Sequence, residues 1–109
     1  MDTYEIDTLN DERSRHGDAY LEFLRVASMS CGVYSLAKGG TDPQSPHTED
    51  EMYYVVRGRA RIRVGSEDRE VRVGTLVFVP ARKEHRFHDI TEDLTVLVFF
   101  APAEGTAPA

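Results

Sequence analysis

Short runs of aromatic and β-branched residues, each soon interrupted by glycine, proline or a cluster of acids, fill this chain from Tyr20 to Phe100. Such side chains pack well on a pleated surface and lose rotamer freedom in a helix, so the pattern suits strands. Residues 20–26, 32–36, 52–57, 59–64, 69–73, 76–79, 85–89 and 94–100 each read as a strand. Gly65-Ser66-Glu67-Asp68 is a turn signal, so 59–64 and 69–73 are expected to pair as a hairpin. Residues 38–46, with Gly39, Gly40, Pro43 and Pro46, read as a loop. Parallel pairing needs crossovers of about a dozen residues, and the connections here leave no room for them. The expected fold is all-β, an antiparallel β-barrel or sandwich.

A chain of 109 residues can build one hydrophobic core but not two. The polar, acidic residues 1–18 are expected to form an N-terminal arm with at most a short strand or helix. Residues 19–101 form the barrel, and 102–109, with Pro102, Gly105 and Pro108, a flexible C-terminal tail. No apolar run reaches the length of a membrane span, and Met1-Asp2-Thr3-Tyr4-Glu5 lacks the charged start and apolar stretch of a signal peptide. A lone Cys31 cannot form an internal disulfide, so the expected location is cytoplasmic, with no membrane partner.

The formal charge of −6 argues against nucleic acid as a partner, because phosphate binding depends on clustered Lys and Arg. One local exception exists. Arg57, Arg59, Arg61 and Arg63 recur every second residue, which in a strand puts all four on one face, with Ala60, Ile62 and Val64 on the other. The simpler expectation is a solvated outer face balanced by Glu67, Asp68 and Glu70, rather than an anion-binding patch.

Residues that carry chemistry concentrate in two blocks, 46–58 and 74–85. His47, Glu51 and His85 are two imidazoles and a carboxylate, a mix that suits a metal with open coordination positions. His47 and Glu51 are four apart. A helix would put them on one face, but Tyr53-Tyr54-Val55-Val56 and Gly58 fit a helix poorly. A straight strand would hold them roughly 13 Å apart, at about 3.3 Å per residue. A single metal, whose ligand atoms lie about 2 Å away, does not reach both. Shared ligation therefore requires Thr48-Glu49-Asp50 to turn or bulge. Glu51, Tyr53 and Val55 then alternate inward. Met52, Tyr54 and Val56 face outward and leave an apolar surface suited to a homodimer or sheet-packing contact.

The same two blocks resemble the paired motifs of the cupin superfamily, small antiparallel β-barrels with a metal in the barrel mouth. The family's first motif runs Gly, five residues, His-x-His, three or four residues, Glu, six residues, Gly; Gly39, His47, Glu51 and Gly58 match it. The second runs Gly, five residues, Pro-x-Gly, two residues, His, three residues, Asn; Gly74, Pro80 and His85 match it in register. Three positions depart: Ser45 stands for the first histidine, Arg82 for the second-motif glycine, and Asp89 for the asparagine. The resemblance implies a divalent metal held by His47, Glu51 and His85, with Fe first and Mn, Zn or Ni as alternatives. Gln44 is a candidate fourth ligand through its amide oxygen. In a regular strand its side chain points the other way, so a bulge near Pro43 or Pro46 is needed to redirect it.

Tyr53, two residues past Glu51, is the candidate catalytic residue, a phenol that would orient or deprotonate a substrate; a core tyrosine with a bonded hydroxyl is the plainer expectation. His88 falls on the face opposite His85, and His16 lies in the polar arm. Arg82 would rim the mouth and attract a carboxylate. The function these residues imply is a metal-dependent enzyme of dioxygenase type acting on a small polar molecule. A metal-dependent lyase or isomerase and a non-catalytic small-molecule-binding barrel are the alternatives.

Overall fold

A computed structural model describes residues 1–108 of the protein. One helix, α1 (Ile6–His16), precedes six strands: β1 (Tyr20–Val26), β2 (Met29–Leu36), β3 (Asp50–Val64), β4 (Glu67–Arg72), β5 (Leu76–Val79) and β6 (His85–Ala101). All pairs are antiparallel, in the order β1-β2-β6-β3-β4, with β5 also on β3. The all-β antiparallel barrel expected from the sequence is the fold found.

Two strands are longer than the sequence suggested. Gly58 does not end a strand but lies inside β3, and the expected strands 85–89 and 94–100 are halves of β6. Both strands bend where their pairing slips, between Val55 and Arg61 on β3. Such bulges let a strand turn a corner and serve two parts of a barrel. Gly58 is required at this corner: its φ is 95°, and a Cβ there would meet the Asp93 carbonyl oxygen at 2.3 Å. The hairpin between β3 and β4 is tighter than expected, with Val64 opposite Glu67 and only Gly65-Ser66 in the turn.

The inner faces close over Tyr34, Tyr53, Val55, Ile62, Phe87, Leu94, Val96, Val98 and Phe100, all buried. Strand alternation explains the choice, since Glu51, Tyr53 and Val55 are buried while Met52 and Tyr54 are exposed. The arginines of β3 take the balanced outer face. Arg59 pairs with Glu70 at 3.2 Å, and Arg61 and Arg63 pair with Asp68 at 2.9 and 3.5 Å.

Both ends are more ordered than the sequence indicated. The arm carries an 11-residue helix, α1, which packs on β1 and β2 through buried Leu9. Arg13, Arg15 and His16 lie in its last turn, where cations favour the helix dipole, and Gly17 caps it at φ 75°. The expected flexible tail is instead docked. Ala103 is buried, the Glu104 N–H donates to Ser30 Oγ at 2.9 Å, and the Ala107 N–H donates to Glu49 Oε2 at 3.0 Å. Its last residue, Ala109, lies outside the described residues. Among the described residues no helix is long and apolar enough to cross a membrane.

Candidate metal centre

Pro43 to His47 has no regular structure, the chain bends at Thr48-Glu49, and β3 begins at Asp50. That bend is the break His47 and Glu51 need in order to meet: His47 Nε2 lies 4.0 Å from Glu51 Oε1. The start of β6 brings in His85, whose Nε2 is 3.1 Å from the same oxygen. One ligand atom from each of His47, Glu51 and His85 lies within 4.8 Å of the other two.

Gln44 joins them. Its Oε1 is 3.2 Å from His47 Nε2 and 3.2 Å from His85 Nε2, and it accepts a hydrogen bond from the Tyr53 hydroxyl at 3.0 Å. The irregular backbone supplies the redirection that a regular strand would have denied. The amide orientation follows from its other end, where Gln44 Nε2 donates to Asp42 Oδ2 at 2.8 Å. Asp42, buried, also accepts from the Phe87 N–H at 2.9 Å and from the Tyr34 hydroxyl at 2.5 Å. This carboxylate was not singled out from the sequence; its only signal there was a lone acid in a Gly/Pro loop.

Proton positions decide what the cluster can hold. His85 Nδ1 lies 2.9 Å from the Lys83 carbonyl, which can only accept. Neutral His85 therefore carries its proton on Nδ1 and aims the Nε2 lone pair at Glu51 and Gln44. On its far side His47 Nδ1 lies 3.5 Å from Glu104 Oε2, a charge contact rather than a hydrogen bond. Glu51 Oε1 is buried and makes no hydrogen bond, although His85 Nε2 is 3.1 Å away. With both imidazoles presenting Nε2 lone pairs, four acceptor atoms converge, and only Gln44 Oε1 has a donor, the Tyr53 hydroxyl. A divalent cation satisfies such a set, and the carboxylate behind His47 is the partner metal-binding imidazoles commonly have. The residues fit the metal.

Burial opposes charge on His85, but the Glu51 contact, the Lys83 carbonyl and the charges of Glu51 and Asp42 outweigh it, so its pKa is raised. Tyr53 is fully buried, and its pKa lies well above the phenol range, first through burial and then through Glu51's charge. It is a hydrogen-bond donor to Gln44 and unsuited to take a proton. Glu104, raised first by burial, comes from the docked tail, and composition alone gave it no mark. His88 pairs with Asp68 at 2.9 Å, outside the cluster. His16 ends α1.

Two of the departures from the motif turn out to be conformational. Arg82 has φ 65° and Asp89 φ 46°, the left-handed region that glycine and asparagine enter most easily. Arg82 keeps the turn, and its N–H donates to the His47 carbonyl at 2.6 Å, joining the two blocks. Its guanidinium donates to the Pro108 carbonyl at 2.6 Å.

His47, Glu51, Gln44 and Tyr53 line a cavity of about 190 Å³, completed by Tyr20, Tyr34, Val98, Phe100 and Glu104. A larger open groove of about 480 Å³ passes His85 over Arg63, Arg86 and His88, but it holds neither His47 nor Glu51. Gln44 lines both spaces, while His47 and Glu51 face the smaller one and His85 faces the groove.

Over 105 residues the chain is 51% identical to the uncharacterized protein SCO3923 of Streptomyces coelicolor, covering 96% of this chain and all of that one. The fold is shared with TT1209 of Thermus thermophilus, at TM-score 0.72 and 24% identity over 94% of this chain and 99% of that one. It is also shared with the DMSP lyase DddQ of Ruegeria pomeroyi, at TM-score 0.71 and 21% identity over 88% of this chain and 53% of that one. The cupin domain profile matches residues 32–100, a stretch that includes both blocks and every member of the lone-pair cluster. The chain belongs to the cupin domain family.

Proposed function

We propose that the protein is a metal-dependent enzyme of dioxygenase type, holding a divalent cation through His47, Glu51, His85 and Gln44 and acting on a small polar molecule in the adjoining cavity. The observation that carries this reading is the grouping of His47, Glu51 and His85, with Gln44 Oε1 3.2 Å from both imidazoles and Glu51 Oε1 buried without a hydrogen bond. A bound cation supplies Lewis-acid polarisation of a substrate oxygen, and Fe(II), the first choice of metal, also supplies one-electron chemistry. The chain's own residues do the rest. The Lys83 carbonyl fixes the His85 tautomer, Glu104 stands behind His47, Asp42 and Tyr53 hold the Gln44 amide, and Val98 and Phe100 give the cavity an apolar wall.

Metal analysis of untagged protein, reconstituted in turn with Fe(II), Mn(II), Zn(II) and Ni(II), tests the reading. One equivalent in the wild type and loss in His47→Ala and His85→Ala are expected. A wild type that retains none of the four metals would end it. Substrate-dependent oxygen uptake by the Fe(II) protein then tests the dioxygenase assignment.

A lyase or isomerase using the same ligands is the second reading. It is favoured by Glu104, a partly exposed carboxylate on the cavity wall, placed to accept a substrate proton. DddQ, a lyase by its name, shares the fold.

The protein is further proposed to be a cytoplasmic homodimer. Cys31 is free and buried. On the outer face of β3 and β5, Met52 opposes Phe78 and Tyr54 opposes Leu76, and all four are exposed. Sedimentation of a monomer at micromolar concentration would contradict the dimer.

A further inference from the structure

Among the described residues, two buried side-chain polar atoms lack a hydrogen-bond partner: Glu51 Oε1 and the Tyr20 hydroxyl. Both residues line the cavity of about 190 Å³. The bare oxygen of Glu51 is accounted for by the cation site. That of Tyr20 is not, because the phenol makes no hydrogen bond to His47, Glu51, His85 or Gln44. The cavity's other tyrosines are committed, Tyr34 to Asp42 and Tyr53 to Gln44.

The fold makes a seat for this phenol. The Tyr20 ring crosses β2 over Gly32, where any Cβ would lie 2.2–2.3 Å from the ring and its hydroxyl oxygen. Gly32 pairs with Val98 on β6, and Val98 pairs with Tyr53 on β3, so the phenol sits over the inner layer beside the cavity wall. A buried donor left unbonded is costly, and such atoms in a cavity mark where a ligand's polar atom belongs.

Charge and size narrow the ligand. Burial, then Glu104 and Glu22, raise the Tyr20 pKa, which keeps its proton in place. A divalent cation is balanced by the two carboxylates that line this cavity, Glu51 and Glu104. A third carboxylate, on the ligand, would be repelled. The space also falls below the roughly 300–1,000 Å³ of pockets for drug-sized ligands.

We propose that Tyr20 is a specificity-determining residue whose hydroxyl donates to one oxygen of a compact, uncharged ligand of the hydroxy-ketone class. The inference rests on the metal reading above, since the ligand's other oxygen is directed to the lone-pair cluster.

The test uses Mn(II)-loaded protein, with hydroxyacetone as the neutral probe and pyruvate as the anionic one, each titrated by the change in water-proton relaxation. Hydroxyacetone is expected to bind the wild type more tightly than pyruvate, and to bind Tyr20→Phe roughly five- to tenfold more weakly, the worth of one hydrogen bond. Mn(II) affinity should be unchanged in Tyr20→Phe, and its melting temperature equal or higher, because no protein partner is lost. Equal hydroxyacetone affinity in the two proteins, no hydroxyacetone binding to the Mn(II) wild type, or tighter binding of pyruvate overturns the proposal. A drop in melting temperature of several degrees also overturns it, by revealing a structural role. Failure of the wild type to take up Mn(II) is a separate outcome that overturns the metal reading and this inference with it.

Discussion

His85 Nε2 lies 3.1 Å from Glu51 Oε1, and in neutral His85 no proton stands between them, because the ring's N–H is committed to the Lys83 carbonyl. Two buried lone pairs therefore face each other unless a cation or a proton intervenes. At about pH 9, where an imidazole is largely neutral, Glu51→Gln gives His85 Nε2 an amide donor. The metal-free variant should gain about 1–2 kcal/mol of stability, while its metal affinity falls at least about 100-fold. Urea unfolding and isothermal titration measure the two quantities. Loss of stability alongside unchanged affinity would show that Glu51 is a structural acid.

Under the proposed metal reading, proton and metal compete for His85. Its raised pKa means that the charged ring stabilises the metal-free fold. That contribution is full below the ordinary histidine value of about 6.5, and it is lost as pH rises through the folded-state value. Metal affinity moves the other way, because only the neutral ring can ligate. Titration with Mn(II) from about pH 6 to pH 9 should give affinity that climbs with pH, by up to about tenfold per unit, with proton release. A flat profile would remove His85 from the ligand set.

Glu104 holds the far side of His47 from a segment that follows the last strand. Glu104→Ala should weaken metal binding by about 10–100-fold, with the far-UV spectrum unchanged. Glu104→Gln, which keeps an acceptor oxygen, should recover part of the loss. Equal affinities in all three proteins would mean that His47 orients itself.

Asp42→Asn changes one atom of a carboxylate that accepts three hydrogen bonds, from Tyr34, Gln44 and Phe87. An amide must turn an N–H toward at least one of those donors. The cost should be about 2–3 kcal/mol by urea unfolding, since a buried polar group is left mispaired. Wild-type stability would show that the loop can repack.

Arg82→Gly relieves a left-handed residue at φ 65°. The gain should be about 1 kcal/mol, offset in part by loss of the bond to Pro108. A loss of more than about 1 kcal/mol would show that the tail depends on the Arg82 guanidinium.

The strands were legible because inward and outward residues alternate at short range, as Glu51, Tyr53 and Val55 do against Met52 and Tyr54. Their continuity was not. Gly58 reads locally as a break, and only its packing against the Asp93 carbonyl makes it a corner within one strand.

His47, Glu51 and His85 could be named from residue type and spacing, because the bend at Thr48-Glu49 lies within their own block. Spacing also marked Gln44, but the direction of its side chain depended on Asp42 and on the irregular loop. Asp42, Glu104 and Tyr20 had no such mark. Glu104 reaches His47 from beyond β6, Asp42 holds the Phe87 amide of β6 from a distant loop, and Tyr20 meets the cavity across a glycine on the next strand. By itself the sequence determined an antiparallel barrel and the three candidate ligand side chains His47, Glu51 and His85, since residue type, local periodicity and spacing mark them. Tertiary structure alone decided the His85 tautomer, the Gln44 oxygen and the unpaired Tyr20 hydroxyl, because each depends on which distant backbone or side-chain atom is close enough to form, or to deny, a hydrogen bond.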